Sequence, residues 1–288
     1  MFNRIISIDW SGAGSETEGV DLRVATFDAS GNKCQIVDRP YTERIVVSWT
    51  RAICRAWLEE RLRETTPTLI AMDFGFGLPW GSDQAVFRVG GWRRMLGQIG
   101  EHYRRHVTAR ATAQAINKEA RYNGYGPYRF DDGRNNFRFY VDHKVPYFRL
   151  TELTAPQAIS QWYLGSGGTV GFHTISGLAA LDHLISLRDS GRIDFVVWPH
   201  EAWIPPTGKH VIVESYPALC PRLDDYGPCR GNDGNQRDAW RMLQYLVAAR
   251  ANNRLNDLFK IEETPFGRII GVTFEQQIQF EGFIFGLR

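Results

Sequence analysis

At 288 residues, with 43% hydrophobic and 13% aromatic residues, the chain is long enough to bury a sizeable core and too rich in aromatics for general disorder. Asp9 interrupts the opening MFNRIISIDW before it reaches the length of a signal-peptide core, and no uninterrupted apolar run of about 18 residues is present, so a cytoplasmic protein with no membrane partner is expected. The formal net charge is only +2, yet 88–149 holds thirteen basic residues against five acidic ones, which leaves the rest of the chain net acidic and suits the central segment to a polyanion.

RIISID is a β-branched run ending at an acid, and the turn-rich SGAGSETEG returns the chain through DLRVATFD as a hairpin. ASGNK is a second turn, and KCQIVD completes a three-strand meander. Over 43–64 the spacing of Ile45, Val46, Trp49, Ile53, Trp57, Leu58 and Leu62 predicts a helix with one apolar face. TLIAMDF then reads as a fully buried strand, as a parallel neighbour reached by a crossover helix should. A helix is predicted over 84–106, followed by the loop-like YNGYGPYRFDDGRNNFRFY. We treat 84–150 as a basic, aromatic-rich insertion within a single domain spanning 1–288.

The glycine-rich YLGSGGTVGFHTIS precedes a predicted helix, GLAALDHLISLRDSG, and IDFVVWP and KHVIVESYP read as two further strands. NQRDAWRMLQYLVAARANN is a helix with Ala239, Leu243, Leu246 and Val247 on one face. The cysteines Cys34, Cys54, Cys220 and Cys229 are dispersed, without the spacing of a zinc knuckle or redox pair, and read as reduced and structural.

Four acids stand out by position. Asp9, Asp73 and Glu214 close strands, and Asp238 begins the last strong helix. Strand ends of an open α/β sheet are where side chains from distant parts of a sequence gather, and clustered carboxylates must share protons or a cation. Oxygen-only ligands suit Mg2+ or Mn2+. Each acid taken singly has an ordinary use as a cap or turn residue, and Asp238 is also suited to a helix N-terminus. The order of the elements is what sets the four apart. Ser11, Gly12 and Gly14 follow Asp9 in a loop that either approaches a phosphate or is simply a turn. Of the seven histidines, only His173, beside the glycine-rich loop, is a candidate general acid or base, and Ser166, Ser176 and Ser215 lack nucleophile-elbow surroundings.

These motifs resemble, in order, those of the predicted nucleases of domain of unknown function family 429, to which an RNase H-like fold is assigned. IISIDWSGAG, AMDFGFGLP, VIVESYPAL, NQRDAWRMLQYLVAA and FEGFIFGL carry the resemblance, together with LGSGGTVGFHTISGLAAL, over 5–287. The stretch 121–149 has no counterpart in the family pattern. The resemblance implies an α/β, RNase H-like mixed sheet flanked by helices, with Asp9, Asp73, Glu214 and Asp238 as catalytic and metal-binding acids, Asp9 as the bridging ligand and Glu281 as a further acid.

The function so implied is a metal-dependent nuclease or phosphodiester hydrolase acting on DNA or RNA. It would use two ions about 3.5–4 Å apart, one activating water and the other stabilising the leaving oxygen. Ser11, Arg93, Arg94, Arg104 and Arg105 are the candidate substrate contacts, and the interleaved Tyr122, Tyr125, Tyr128, Phe130, Phe137, Phe139 and Tyr140 either stack on bases or form a packed aromatic loop. Two other classes stay open. A phosphotransferase of the actin and sugar-kinase type would use DWSGAG as a phosphate hairpin, though the sequence shows no duplicated half. A non-catalytic nucleic-acid-binding module would have no use for four clustered acids.

Overall fold

Ile5, Ile6 and Ile8 of the first strand, β1 (Arg4–Asp9), are all fully buried, because alternate residues enter cores on opposite faces of the sheet. The computed structural model describes residues 2–18, 21–38, 49–120, 126–130, 137–165, 170–221, 233–264 and 267–287. β2 (Arg23–Asp28) runs antiparallel to β1, and β3 (Lys33–Ile36) antiparallel to β2, as the two turn signals predict. β4 (Thr68–Met72), buried along its whole length, pairs parallel with β1 on the other side. β5 (Val196–Trp198) and β6 (Val211–Glu214) extend the parallel half, giving the order β3-β2-β1-β4-β6-β5. The protein is thus α/β, with a mixed six-stranded sheet flanked by helices.

α1 (Arg51–Arg63) makes the crossover from β3 to β4, started by Thr50, whose hydroxyl accepts from Ile53 N at 3.2 Å. The first part of the helix predicted over 43–64 lies outside the described residues. One core joins Ile6, Ile8, Ile70 and Met72 to Leu58, Leu62 and the helices of the central segment. The other joins Ile5, Phe27, Leu69 and Val213 to Ala239, Trp240, Leu243 and Leu246 of α8 (Gly234–Ala251).

The segment predicted to be an insertion builds part of the first core. The helix expected over 84–106 is two helices, α2 (Ser82–Ala85) and α3 (Trp92–His106), because Gly91 between them adopts φ 84° and ψ 158°, which no α-helix accommodates. Met95, Leu96, Ile99 and Tyr103 of α3 are buried, and the helix lies along α7 (Val170–Asp189). α4 (Ala109–Glu119) follows, α5 (Phe137–His143) occupies part of the stretch expected to be loop, and the short α6 (Leu150–Thr154) comes after it. Tyr128, Phe139 and Tyr140 are buried, with Tyr128 edge-on to Trp162 at 5.1 Å, so these three form core rather than a surface for bases. Tyr122 and Tyr125 lie outside the described residues.

α7 begins at Val170, earlier than the sequence suggests, and so takes in Gly171, which read as loop, as well as Gly177, the first residue of the predicted helix. They serve close packing: a Cβ on Gly177 would sit 2.3 Å from the Phe74 ring, and one on Gly171 would sit 2.5 Å from Tyr163 O. Gly177→Ala, which favours an isolated helix, is therefore expected to destabilise the protein by about 1–3 kcal/mol through overpacking against Phe74. Urea unfolding of the variant measures this, and a gain in stability would show that Phe74 yields freely. α7 is also the one described helix long and apolar enough to cross a membrane by composition, and 72% of that stretch is buried inside the molecule.

Candidate active site

β1, β4 and β6 lie side by side and parallel, so their C-terminal ends meet at one edge of the sheet. Asp9 is the last residue of β1, Asp73 directly follows β4, and Glu214 ends β6. The ladder runs right up to the acids, with Asp73 N donating to Ile8 O at 3.0 Å and Ser215 N to Met72 O at 2.9 Å. The backbone therefore fixes where these three side chains start. Asp238 comes from α8, which packs across β1 and β2. It is the fifth residue of α8, and the N-cap is Asp233, whose carboxylate accepts from Gln236 N at 2.7 Å. The capping role open to Asp238 in the sequence belongs to Asp233.

The aspartates crowd one another. Burial pushes Asp9 far above the usual carboxylate range, and the Asp73 and Asp238 charges push it further; its hydrogen bond to Asp73 keeps a proton on it. Asp73 is raised by burial and by the Asp238 and Glu214 charges, with the Asp9 hydrogen bond working the other way. Burial also raises Asp238, against the opposing pull of Arg241 and Arg237. Arg23 pulls Asp9 the other way, more weakly than burial and the neighbouring acids push it. Asp9 and Asp73 thus share a proton because two bare carboxylates in that position would repel.

Glu214 has a different environment. Arg149, fully buried, donates to both of its oxygens at 2.8 and 2.6 Å, and Phe76 N donates to Oε2 at 2.8 Å. Arg149 also donates to Glu152 Oε1 at 2.6 Å and to Glu281 O at 2.9 Å. Burial works against its charge, but the Glu152 and Glu214 carboxylates outweigh that and keep the guanidinium protonated. Gln161 links this cluster to the turn after β4: its amide donates to Glu152 at 2.8 Å and its carbonyl accepts from Thr174, whose hydroxyl accepts from Gly75 N at 3.3 Å. Asp73, Glu214, Arg149 and Gln161 line a cavity of about 30 Å³.

The structure therefore brings Asp9, Asp73 and Asp238 into one electrostatic cluster, with Glu214 alongside it but tied to a guanidinium. Among the described residues, no three His, Cys, Asp or Glu side chains are already arranged around a common point as a metal cage.

The other sequence candidates lie apart from the acids or have partners. Ser11 is buried, and its hydroxyl accepts from Ala13 N at 3.3 Å. The loop around it closes on the buried Arg51, which donates to the carbonyls of Ser11, Ala13 and Gly14 at 2.9, 2.6 and 2.9 Å. Gly12 is required because a Cβ there would stand 2.3 Å from the Phe172 backbone. His173, on the first turn of α7, is driven down to about 4 by burial and by Arg51, so it is neutral at pH 7. Arg93 and Arg104 both close on the buried Asp182, at 2.9 and 3.0 Å, and Arg105 pairs with Glu101. Arg94 is exposed on α3. Glu281 ties backbone together, accepting from Trp80 N at 2.8 Å and Leu150 N at 2.7 Å, and burial pushes it up to about 7.

Arg149, Glu152 and Arg51 hold the site together, and none of them stood out among the sequence candidates. Arg149 read as one more charge in a basic segment; the only hint was Glu152 three residues on, at the spacing of a helix-start pair. Comparison of the chain with family models, with curated proteins and with solved structures finds no match.

Proposed function

We propose that the chain is a metal-dependent nuclease or related phosphodiester hydrolase with an RNase H-like fold, acting on nucleic acid. The observation that carries this reading is the group of three aspartates, from two adjacent strands and a helix, crowded until two of them share a proton. A fold gains no stability from such crowding, whereas a cation site requires it. The strand order supports the RNase H-like assignment: β1 to β3 form an antiparallel meander, and β4 lies parallel to β1 on its other side. β5, outside β6, is an elaboration on that plan.

The donor set fits a hard divalent cation, Mg2+ or Mn2+, because every candidate ligand is a carboxylate oxygen and the shared proton occupies the place of a positive charge. Asp9, Asp73 and Asp238 are the residues that would hold it. Bound there, the cation would supply charge stabilisation to a phosphodiester and a nucleophilic water at neutral pH. The residues themselves do the positioning. Asp9 and Asp73 are fixed by the ends of their strands, and Glu214, neutralised by Arg149, holds the Phe76 amide and with it the turn that carries Asp73.

The phosphotransferase reading loses its main support at the loop after β1, where three carbonyls turn inward to Arg51 and the Ala13 and Ser15 amides are taken by the side chains of Ser11 and Glu18. A hairpin that cradles phosphate needs those amides free.

The test is incubation of the protein with end-labelled DNA and RNA, single- and double-stranded, with Mg2+, with Mn2+ and with EDTA. Cleavage that needs the metal and leaves 3′-hydroxyl ends is the expected outcome. Intact substrates, together with Mg2+-dependent stabilisation of the protein by ATP, would point to the phosphotransferase class instead.

A further inference from the structure

The positive charge of the central segment is not uniformly available. Arg93 and Arg104 share Asp182, Arg105 pairs with Glu101, Arg138 with Asp142, and Arg149 is buried in its own cluster. Arg110 is different. It is exposed on α4 and has no ion pair or hydrogen bond among the described residues, and its guanidinium lies between two half-buried phenyl rings, 5.3 Å from the Phe130 centroid and 5.4 Å from that of Phe172. Aromatic faces on either side hold an arginine in place without neutralising it.

Its location matters as much as its geometry. Phe172 is the residue whose backbone Gly12 packs against, and the Trp10 indole donates to Ser176 Oγ one turn further along α7 at 3.0 Å. The chain leaving Asp9 therefore runs along the first turns of α7. A bridge between Ser15 and Thr108 joins the same loop to the start of α4. Phe172 lies on that strip, and Arg110 stacked over it also meets Phe130. Gln114 and Lys118 follow Arg110 at helical spacing along α4, both exposed, and Lys118 likewise has no ion-pair partner among the described residues.

We infer that Arg110, held between Phe130 and Phe172, binds the phosphate backbone of a single nucleic-acid strand that leads to the aspartate cluster. This rests on the nuclease reading for its destination, though not for its binding chemistry. A held guanidinium presents its donor fork to phosphate oxygens at little further entropic cost. The flanking phenyl rings offer stacking surface that only unpaired bases can use, which is why a single strand is the fitting ligand.

The experiment uses the Asp9→Asn protein, so that binding is read without cleavage, with fluorescein-labelled oligonucleotides titrated by anisotropy over a range of salt concentrations. Arg110→Ala added to that background is expected to weaken single-strand binding about tenfold at low salt and to reduce the log–log salt slope by about one, the signature of one lost phosphate contact. Arg110→Lys should restore the slope and only part of the affinity. Phe172→Leu should weaken binding with the slope unchanged. Thermal unfolding of each variant confirms that the fold is intact.

Affinity and slope unaltered by Arg110→Ala would overturn the proposal, as would tighter binding of duplex than of single strand. Cleavage by the wild-type protein is scored separately. If it cleaves while Arg110 proves irrelevant to binding, the proposal fails and the nuclease reading stands. If binding depends on Arg110 and nothing is cleaved, the nuclease reading fails and the strand-binding surface stands.

Discussion

Asp9→Asn is expected to reduce metal-dependent hydrolysis by about a thousandfold or more, the scale seen when a group acting directly on the transition state is removed. The same change is expected to raise the melting temperature of the metal-free protein, and the gain should grow with pH. Asp9 carries a proton in the folded state at pH values where the unfolded chain has lost it. A carboxyl raised on folding contributes stability that is fully present below the unfolded value, about 4, and is lost as pH rises through the folded one. For the Asp9–Asp73 pair that loss runs up to about 9. An asparagine at position 9 keeps a hydrogen bond to Asp73 and has no charge to lose. Melting curves of both proteins in EDTA from pH 5 to pH 9, a window set by the raised Asp9 value, test this. Parallel curves would mean that the carboxylates are not crowded, and the functional argument would lose its foundation.

The second large effect is structural. Arg149→Met is expected to cost about 3–5 kcal/mol of folding stability, because it leaves two carboxylates buried without their cation. Glu214 and Glu152 would lose their guanidinium partner, and the carbonyl of Glu281 would lose its donor. Adding Glu152→Gln and Glu214→Gln to Arg149→Met should recover much of the loss, since neutral amides tolerate burial far better than charges. Urea unfolding of the single and triple variants gives the comparison. A cost under about 1 kcal/mol for Arg149→Met would show that water reaches the cluster and that the pair behaves as a surface salt bridge.

The strands were legible because their residue pattern depends on burial alone. IISI and TLIAM are mostly apolar runs, broken only by the buried Ser7 and Thr68, as a strand covered on both faces favours. The acids at the strand ends were legible for a related reason, since each interrupts an apolar run at the point where the strand leaves the core. The central segment was harder. Its helix broke at Gly91, where only the Gly90–Gly91 pair marks the turn, and Gly171 looked like loop because the close approach of Tyr163 O that requires a glycine there is a tertiary contact. The aromatics at 128, 139 and 140 showed a composition shared by stacking surfaces and cores, and only tertiary contacts assign Tyr128, Phe139 and Tyr140 to the core. Glu214 could be placed from the sequence but its partner could not, because Arg149 lies 65 positions earlier and on a different element.

The sharpest test of the aspartate cluster as a cation site is calorimetric titration of Mn2+ into the wild-type protein and into the Asp9→Asn, Asp238→Asn double variant, repeated in buffers of different ionisation heat. The account predicts binding to the wild type with release of the proton shared by Asp9 and Asp73, and no binding to the double variant. Absence of binding by the wild type, or equal binding by both proteins, would contradict it.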